Sequence, residues 1–478
     1  MGSPPSHPTG ELSAGVLGTA EIIFMVVAAA APMAVVVALM PMAFGFGNGG
    51  GVPGVWLGAV IAMLLFATGY VKIIPHVRNA GAFYAYIAAS IGRIWGLGAA
   101  YVAAFCYFTL ACSTLGAFAF FGEQLFESLT GTSWHWGIWA FIGIALVAWL
   151  SYRRITLAAS VLGVALLAET AIILLLDVKI VYDLGLRQFD LSVFSAHRVF
   201  APGLGIAAIY AFNSMIGIEG TAIYQEEARD RQVTIPRATY LALVLIGLFY
   251  LFTAWCLASS AGIDSVAALA HADPGNFVAN RSREHLGRLG VAAVELLVLT
   301  SSFAAVLGLF NNSARYLYAL ARDGVMPRVL ANTHHRHHSP HVAALTLAVA
   351  MAIVFTAAVI MKLDPLVNVA TALAGLGSVG LMALLSLTSL AIPLFFLRRR
   401  EIGVATCIAP ALGGLVILIA TLLAFFNYPA LTGVDSVVIN HLPYVLLVLF
   451  LAGMAQAGWL RASRPEHYQR IGSNRVDG

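Results

Sequence analysis

Apolar runs recur along almost the whole chain and are separated by short polar stretches. Each run approaches the ~20 residues that a helix needs to cross the hydrocarbon core of a bilayer. The pattern predicts an all-α integral membrane protein with twelve transmembrane helices, which we name segments 1 to 12. Their predicted bounds are 17–44, 54–75, 94–128, 134–152, 156–178, 203–226, 237–262, 289–320, 341–362, 365–396, 402–426 and 441–460.

Composition excludes a soluble globular protein, because 60% of the 478 residues are hydrophobic and only 10% are charged.

The positions of the 26 Lys and Arg residues predict how the chain is oriented in the membrane. With a cytoplasmic N-terminus, 19 of them fall on cytoplasmic stretches and 7 on external ones. The positive-inside rule therefore predicts two cytoplasmic termini and favours an even number of segments. We expect a multi-pass protein of the plasma membrane, with a bacterial inner membrane favoured.

Two segments carry helix-breaking residues at their centres. Segment 1 reads VVAAAAPMAVVV, in which Pro32 removes a backbone donor. Segment 6 reads NSMIGIEG, in which Gly217 and Gly220 weaken the helix by about 1 kcal/mol each relative to Ala. Breaks five segments apart are typical of inverted-repeat transporters, whose substrate binds where the helices unwind. Alternatively, Pro and Gly are simply frequent in membrane helices, whose neighbours satisfy the freed backbone groups.

The repeat interpretation divides the chain into regions. A polar stretch rich in Pro, Gly and Ser at the start is typical of disorder. The predicted regions are a disordered cytoplasmic tail (1–16), a transporter core (17–396) whose two repeats are about 17–178 and 203–396, segments 11 and 12 (397–460), and a second cytoplasmic tail (461–478).

Three stretches carry a family resemblance: GAFYAYIAASIGRIWG (81–96), FNSMIGIEGTAIYQEEARDRQVTIPRA (212–238) and ARYLYALARDGVMPRVLANTHHRHHSPHVAAL (314–345). The first is similar to the Gly-Ala-x-Tyr-x-Tyr start of segment 3 in the amino acid, polyamine and organocation (APC) superfamily. The second resembles the Gly-Phe-Glu break and the turn that follows segment 6, and the third the Arg-Asp-Gly-x-x-Pro loop after segment 8. Order and spacing match over segments 2 to 10. The chain therefore resembles an APC permease of the amino acid permease type.

This resemblance implies a LeuT-like fold, with a five-plus-five inverted repeat and broken helices 1 and 6. It also implies a secondary active transporter that moves an amino acid by alternating access, as a bundle of segments 1, 2, 6 and 7 moves against a scaffold of segments 3, 4, 8 and 9. The sequence contains no Walker lysine motif, so we expect an ion gradient as the energy source and no enzymatic activity. The alternatives are an amino acid/polyamine exchanger, a Na⁺-coupled symporter and, outside transport, a nutrient-sensing membrane receptor.

The unwound backbone of the two breaks is expected to bind the substrate. Half-helix N-termini attract a carboxylate, and freed carbonyls accept from an ammonium group. Family position adds side chains from segments 3, 6 and 8, for which ordinary packing is the alternative interpretation. No extra charged residue accompanies them, which favours a neutral amino acid or a small amine. The predicted substrate-binding residues are Ala30, Ala31, Pro32, Met33, Tyr107, Phe212, Asn213, Ser214, Met215, Ile216, Gly217, Phe303 and Leu309.

Two departures from the family pattern concern segments 1 and 5. Many members have a Gly-Ser-Gly or Gly-Ala-Gly break in segment 1, whereas this chain has Ala28–Ala31 followed by Pro32. Several proton-coupled members carry a lysine in segment 5, in the place of a sodium ion. This chain has Glu169 there, which replaces a positive charge with a titratable acid.

Glu169 is interpreted as the proton carrier, because an unpaired ionised acid at the centre of a membrane costs about 3 kcal/mol and such groups are usually functional. It could instead bind Na⁺ together with backbone oxygens and Asn311, Asn312 or Ser313, or remain a protonated acid that only bonds a neighbouring helix. Glu219 lies at the break of segment 6, where a carboxylate can cap the next half-helix. The resemblance implies a structural and gating role for Glu219, with direct proton transfer as the alternative.

We expect no cofactor and no resident metal, and H⁺ rather than Na⁺ as the coupling ion. The stretch HHRHHSPH (334–341) contains five histidines but no Cys or acid, and it follows segment 8 in a cytoplasmic loop. The expected partners are a small amino acid or amine substrate and membrane lipid, with no nucleic acid. The expected assembly is a monomer or a homodimer.

Overall fold

The computed structural model describes residues 18–77, 83–153, 159–219, 221, 228–334, 339–432 and 437–472. Several predictions fall outside these ranges. They concern the first tail (1–16), Gly220, the acidic part of the turn after segment 6 (225–227), the middle of the histidine stretch (335–338) and the end of the last tail (473–478).

The chain folds into helices, and no β-strand occurs within the described ranges. The α-helices are Thr19–Ala29, Pro32–Ala34, Met40–Phe46, Val52–Ile73, Phe83–Ile91, Arg93–Thr130, Trp136–Arg153, Ala159–Leu184, Ala196–Val199, Leu204–Asn213, Arg231–Ala261, Val266–Ala272, Phe277–Arg322, His341–Ile360, Thr371–Arg398, Ala409–Phe426, Tyr428–Thr432, Val437–Asn440, Tyr444–Ser463 and Pro465–Arg470. Single π-helical turns span Val35–Leu39, Pro365–Ala370 and Val404–Ile408, and 3₁₀ turns span Gly49–Gly51, Ile74–His76, Leu186–Gln188, Leu191–Phe194 and Arg328–Ala331.

Nine helical runs in the described part of the chain, some of them interrupted by a break or a bend, are long and apolar enough to cross a membrane. They correspond to segments 1, 2, 3, 7, 8, 9, 10, 11 and 12. Segments 4 and 6 contain the shorter apolar helices Trp136–Tyr152 and Leu204–Asn213. Segment 5 is the 26-residue helix Ala159–Leu184, whose second half carries several charged residues. The protein is therefore a multi-pass membrane protein, as predicted, while the number twelve stays a prediction.

Segment 3 forms the centre of the molecule. Its helix packs against segments 4, 8, 10 and 12, and 83% of its most apolar stretch is buried, compared with 22% for segment 12. Segment 2 packs against segments 7 and 11, and segment 5 against segments 7 and 8. Large apolar side chains such as Leu245, Ile353 and Leu415 stay exposed on the outer faces. Such a surface is typical of contact with lipid tails.

Two long helices are bent at glycines with left-handed backbone. Gly92 (φ 121°) separates the short helix Phe83–Ile91 from the helix of segment 3. Gly287 (φ 71°) divides Phe277–Arg322 into a short leading helix and segment 8. A residue with a Cβ is strained in this backbone region, so glycine is the residue that permits each bend.

Candidate functional site

The break in segment 1 occurs at Ala31. The helix Thr19–Ala29 ends there, Ala31 adopts left-handed backbone angles (φ 45°, ψ 70°), and a new helix begins at Pro32. Pro suits the first position of a helix, where its missing N–H leaves no hydrogen bond unmade. The hydroxyl of Tyr250, from segment 7, donates to the freed carbonyl of Ala30 at 3.2 Å. The predicted break is thus an unwound backbone stabilised by a neighbouring segment.

Glu169, on segment 5, lies against the start of the second half of segment 1 and is almost fully buried. The hydroxyl of Ser301, on segment 8, donates to its Oε2 at 2.8 Å, and the backbone of Met33 also hydrogen-bonds to the carboxylate. The same Ser301 hydroxyl accepts from the N–H of Ala34 at 3.4 Å. Because half-helix N-termini carry partial positive charge, the carboxylate is placed where a negative charge is stabilised.

The break in segment 6 follows the helix Leu204–Asn213. The chain turns at residues 214–217, with Gly217 in left-handed backbone (φ 110°), and continues as a 3₁₀ turn through Glu219. The Glu219 carboxylate accepts from the Gly217 N–H at 2.8 Å and from the Tyr107 hydroxyl at 2.6 Å. The Tyr70 hydroxyl donates to its carbonyl at 2.8 Å. Glu219 therefore joins its own break to segments 2 and 3.

A cavity lies between the two breaks, with about 740 Å³ not filled by protein atoms, part of it open to solvent. Its walls come from segments 1, 3, 6, 8 and 10. Most of the described lining residues are small or apolar, and none of them is Asp, Glu, Lys, Arg or His. The lining residues are Ala30, Ala31, Ala34, Val35, Ala38, Leu39, Met42, Leu110, Ser113, Thr114, Ala117, Tyr210, Asn213, Ile216, Ser302, Ala305, Leu309, Leu366, Ala370, Thr371 and Ala374.

Five of the thirteen predicted substrate-binding residues line this cavity: Ala30, Ala31, Asn213, Ile216 and Leu309. The other eight lie around it rather than in its wall. Tyr107 and Gly217 bond Glu219, and Phe303 packs on Phe118 with ring centres 5.6 Å apart. The remaining five, which are buried next to the two breaks, are Pro32, Met33, Phe212, Ser214 and Met215.

The polar residues of segment 8 are not gathered around Glu169. Asn311 accepts from the Ser151 hydroxyl at 2.8 Å, and the Ser313 hydroxyl donates to the carbonyl of Ala104 at 3.2 Å. Asn312 is half-buried beside them. These residues lie ten or more positions after Ser301, which is about 15 Å along a helix. Among the residues that the structure describes, the partners of Glu169 are therefore a hydroxyl and a backbone amide, and no amide side chain.

Sequence reasoning missed several polar residues of the site. Tyr250 and Ser301 hold the segment 1 break and Tyr70 the segment 6 break. Hydroxyls of the cavity wall, namely Ser113, Thr114, Ser302 and Thr371, were also missed. A usable signal was present, because stretches such as TLACST and TSSFAA place hydroxyls inside apolar segments. Such residues commonly bond the backbone of a neighbouring helix.

The histidine stretch is only partly described. The rings of His334 and His341 lie 5.5 Å apart and both pack on Tyr152. Among the residues that can be described, no three His, Cys, Asp or Glu side chains are grouped to hold a metal ion.

The family model described as "Amino acid permease" matches residues 17–452. The chain belongs to the amino acid permease family. This match covers both breaks, Glu169 and the whole cavity, and it confirms the predicted membership of the APC superfamily.

The curated relatives are distant. The low-affinity putrescine importer PlaP of Escherichia coli is 25% identical over 58% of this chain and 61% of its own length. The branched-chain amino acid permease BcaP of Bacillus subtilis is 24% identical over 66% of this chain and 69% of its own. Mouse cationic amino acid transporter 4 is 24% identical over 66% of this chain and half of its own length. The names of these relatives thus refer to putrescine, branched-chain amino acids and cationic amino acids.

Proposed function

We propose that this amino acid permease is a secondary active transporter that moves a neutral amino acid across the plasma membrane, coupled to a proton. Its twelve segments would form two inverted five-helix repeats, with both termini cytoplasmic. Substrate would bind in the cavity between the breaks of segments 1 and 6. Transport would proceed by alternating access, as the half-helices on either side of each break tilt.

The observation that carries proton coupling is the contact between Glu169 and the start of the second half of segment 1. As a carboxylate, Glu169 accepts from Ser301 and from the Met33 backbone. Hydrogen bonds to a charged acceptor are about twice as strong as neutral ones. Proton uptake by Glu169 would therefore weaken its hold on a half-helix whose residue Ala34 lines the cavity. Protonation and the conformation of the binding site are in this way linked.

The cavity wall supports a neutral substrate. Burying a second ammonium group without a carboxylate partner is unfavourable, and no acidic residue lines the described cavity. A zwitterionic amino acid needs no such partner, because the half-helix ends and freed carbonyls of the breaks complement its two charges. Hydroxyls such as those of Ser113 and Ser302 add hydrogen-bonding capacity beside apolar surface. Putrescine and cationic amino acids fit this wall less well than small neutral amino acids.

Substrate class is tested by thermal stabilisation of the purified protein, because a ligand that binds only the folded state raises its unfolding temperature. We expect stabilisation by one or more neutral amino acids, and none by putrescine, lysine or arginine at equal concentration. Stabilisation by a diamine alone would refute the neutral substrate.

Coupling is tested in proteoliposomes with the stabilising amino acid. Uptake is measured with and without an inward proton gradient, and in counterflow against internal substrate. We expect the proton gradient to drive net accumulation in the absence of sodium. Uptake that depends on internal substrate and ignores the gradient would favour the exchanger, and dependence on external Na⁺ would favour the sodium symporter.

A further inference from the structure

Asp177 is a second buried acid on segment 5, eight residues after Glu169, and the function proposed above does not use it. Its side chain is 0% exposed. The hydroxyl of Thr253, on segment 7, donates to its Oδ2 at 2.6 Å, while its Oδ1 has no hydrogen-bond partner among the described residues. A half-satisfied carboxyl inside a membrane helix is costly, and such residues usually serve transport of ions or protons.

Segment 7 presents a hydroxyl at the level of each acid along segment 5. Tyr250 is close enough to Glu169 for the two side chains to interact. Thr253 bonds Asp177. Ser260 pairs with His285 at 2.8 Å, and the other ring nitrogen of His285 pairs with Asp183 at 2.8 Å. Both helices run in the same direction, so the three levels follow one another from the middle of the protein to one surface.

The last of these three levels, at Asp183, is open to solvent. Asp183, 30% exposed, also pairs with Lys179, 39% exposed. The hydrogen bonds from His285 and Lys179 hold the pKa of Asp183 below its usual range, so this surface group is a proton donor only in acid. In the proposed orientation this end of segment 5 is external. Asp177 lies about 9 Å inside it and about 12 Å outside Glu169, measured along the helix axis.

The charged and titratable groups around Asp177 come from every element packed on segment 5. Cys256 on segment 7 donates to the Asp177 carbonyl at 3.9 Å, and its thiol also lies close enough to interact with the Asp177 carboxyl. The other charged or titratable residues on these elements include Glu21 on segment 1, Glu169, Lys179, Asp183 and Arg187 on or after segment 5, Arg281, Glu284, His285 and Arg288 before segment 8, and Glu295 on segment 8.

We propose that Asp177 is an intermediate proton-binding residue between the external surface and Glu169. This inference rests on the proton coupling proposed above. A proton from the external side forms an O–H bond with the free Oδ1 of the Asp177 carboxylate. It then leaves Asp177, which becomes a carboxylate again, and forms an O–H bond with the Glu169 carboxylate. Hydroxyls of segment 7 and water carry it across the gap, and the total charge is unchanged.

The test compares Asp177→Asn with wild type in proteoliposomes, in two assays. Counterflow at equal pH on both sides needs substrate binding and the conformational change, but no net proton movement. Net uptake driven by a proton gradient needs substrate binding, the conformational change and net proton movement. We expect Asp177→Asn to keep counterflow within about twofold and to lose gradient-driven uptake by about tenfold or more, the usual size of a lost proton-transfer group. Asp177→Glu should restore part of the gradient-driven uptake.

Two further variants separate a relay from a structural contact. Asp264→Asn is the matched control, because Asp264 is an exposed acid on the same side, paired with Arg198, and should behave as wild type in both assays. Thr253→Val removes the hydrogen bond to Asp177 but keeps the acid, so its loss of gradient-driven uptake should be smaller than that of Asp177→Asn.

Three outcomes would overturn the relay. Gradient-driven uptake by Asp177→Asn at the wild-type rate would show that protons do not pass Asp177. Loss of counterflow together with uptake, reproduced by Thr253→Val, would make Asp177 a structural contact between segments 5 and 7. Failure of the wild-type protein itself to respond to a proton gradient would remove proton coupling, and it is distinguishable because the wild type, not the variant, fails.

Discussion

The two broken segments are each held by a buried glutamate, but from different directions. In segment 6 the acid belongs to the break, since Glu219 accepts from Gly217 two residues earlier. In segment 1 the acid is supplied by another helix, since Glu169 on segment 5 meets Met33 and Ser301. A local carboxylate stabilises a fixed turn, whereas a carboxylate from another segment can release the half-helix it holds. The comparison suggests a structural break in segment 6 and a switchable one in segment 1.

The largest expected effect is that of Glu219→Ala. The change leaves the Gly217 N–H and the Tyr107 hydroxyl buried without their acceptor, which costs about 3 kcal/mol in unfolding free energy. We expect loss of both counterflow and gradient-driven uptake, with a lower thermal unfolding midpoint. Glu219→Gln keeps one acceptor oxygen, so its transport activity and its unfolding midpoint should lie between those of Glu219→Ala and those of the wild type. Normal counterflow by Glu219→Ala would contradict the role of Glu219 in holding the break.

Glu169→Gln should show most clearly that the acid at the segment 1 break has a different role from the acid at the segment 6 break. Glutamine can still accept from Ser301 but cannot carry a proton, so gradient-driven uptake should fall by about tenfold or more while counterflow persists. The rate of uptake should also lose its dependence on pH, measured as initial rates from pH 5 to 8. Glu401→Gln, at an exposed acid, is the control. An unchanged pH profile in Glu169→Gln would remove Glu169 from the coupling mechanism.

Ser301→Ala tests whether the Glu169 contact depends on its bridging hydroxyl. The variant removes the donor to Glu169 and the acceptor of the Ala34 N–H, which should cost about 1 to 2 kcal/mol. The neighbouring hydroxyl of Thr300 is exposed and donates to its own helix at 3.0 Å. Thr300→Val should therefore change stability by less than about 0.5 kcal/mol. Equal effects of the two changes on the unfolding midpoint would argue against the bridge.

The smallest effect expected is that of glycine at the segment 1 break. Ala31 has left-handed backbone angles, which cost an L-residue about 1 kcal/mol, so Ala31→Gly should not destabilise the protein and should stabilise it slightly. Ala34 is helical (φ −61°, ψ −39°), so Ala34→Gly should destabilise by about 1 kcal/mol. Both alanines line the cavity, which makes them a matched pair. A destabilising Ala31→Gly would mean that the break is helical in solution.

The sequence predicted both breaks because their cause is local: Pro32 lacks a donor and Gly217 tolerates left-handed backbone. It also singled out Glu169 and Glu219, since acids stand out in apolar segments. The partners of these acids were harder to predict. Ser301 lies 132 residues from Glu169 and Tyr107 lies 112 residues from Glu219, and nothing in the local pattern pairs them.

The sequence by itself determined the class of the protein, its family and the positions where helices break, because these depend on hydrophobicity and backbone chemistry along the chain. It also predicts the number and orientation of the membrane segments, which stay predictions. Only the tertiary structure decided which predicted residues line the cavity and that Asn311 and Ser313 bond other helices. It also decided that Asp177 is buried and that its Oδ1 has no hydrogen-bond partner within the described ranges. Helix packing determines these contacts, because the angle at which two helices meet decides which polar side chains find a partner.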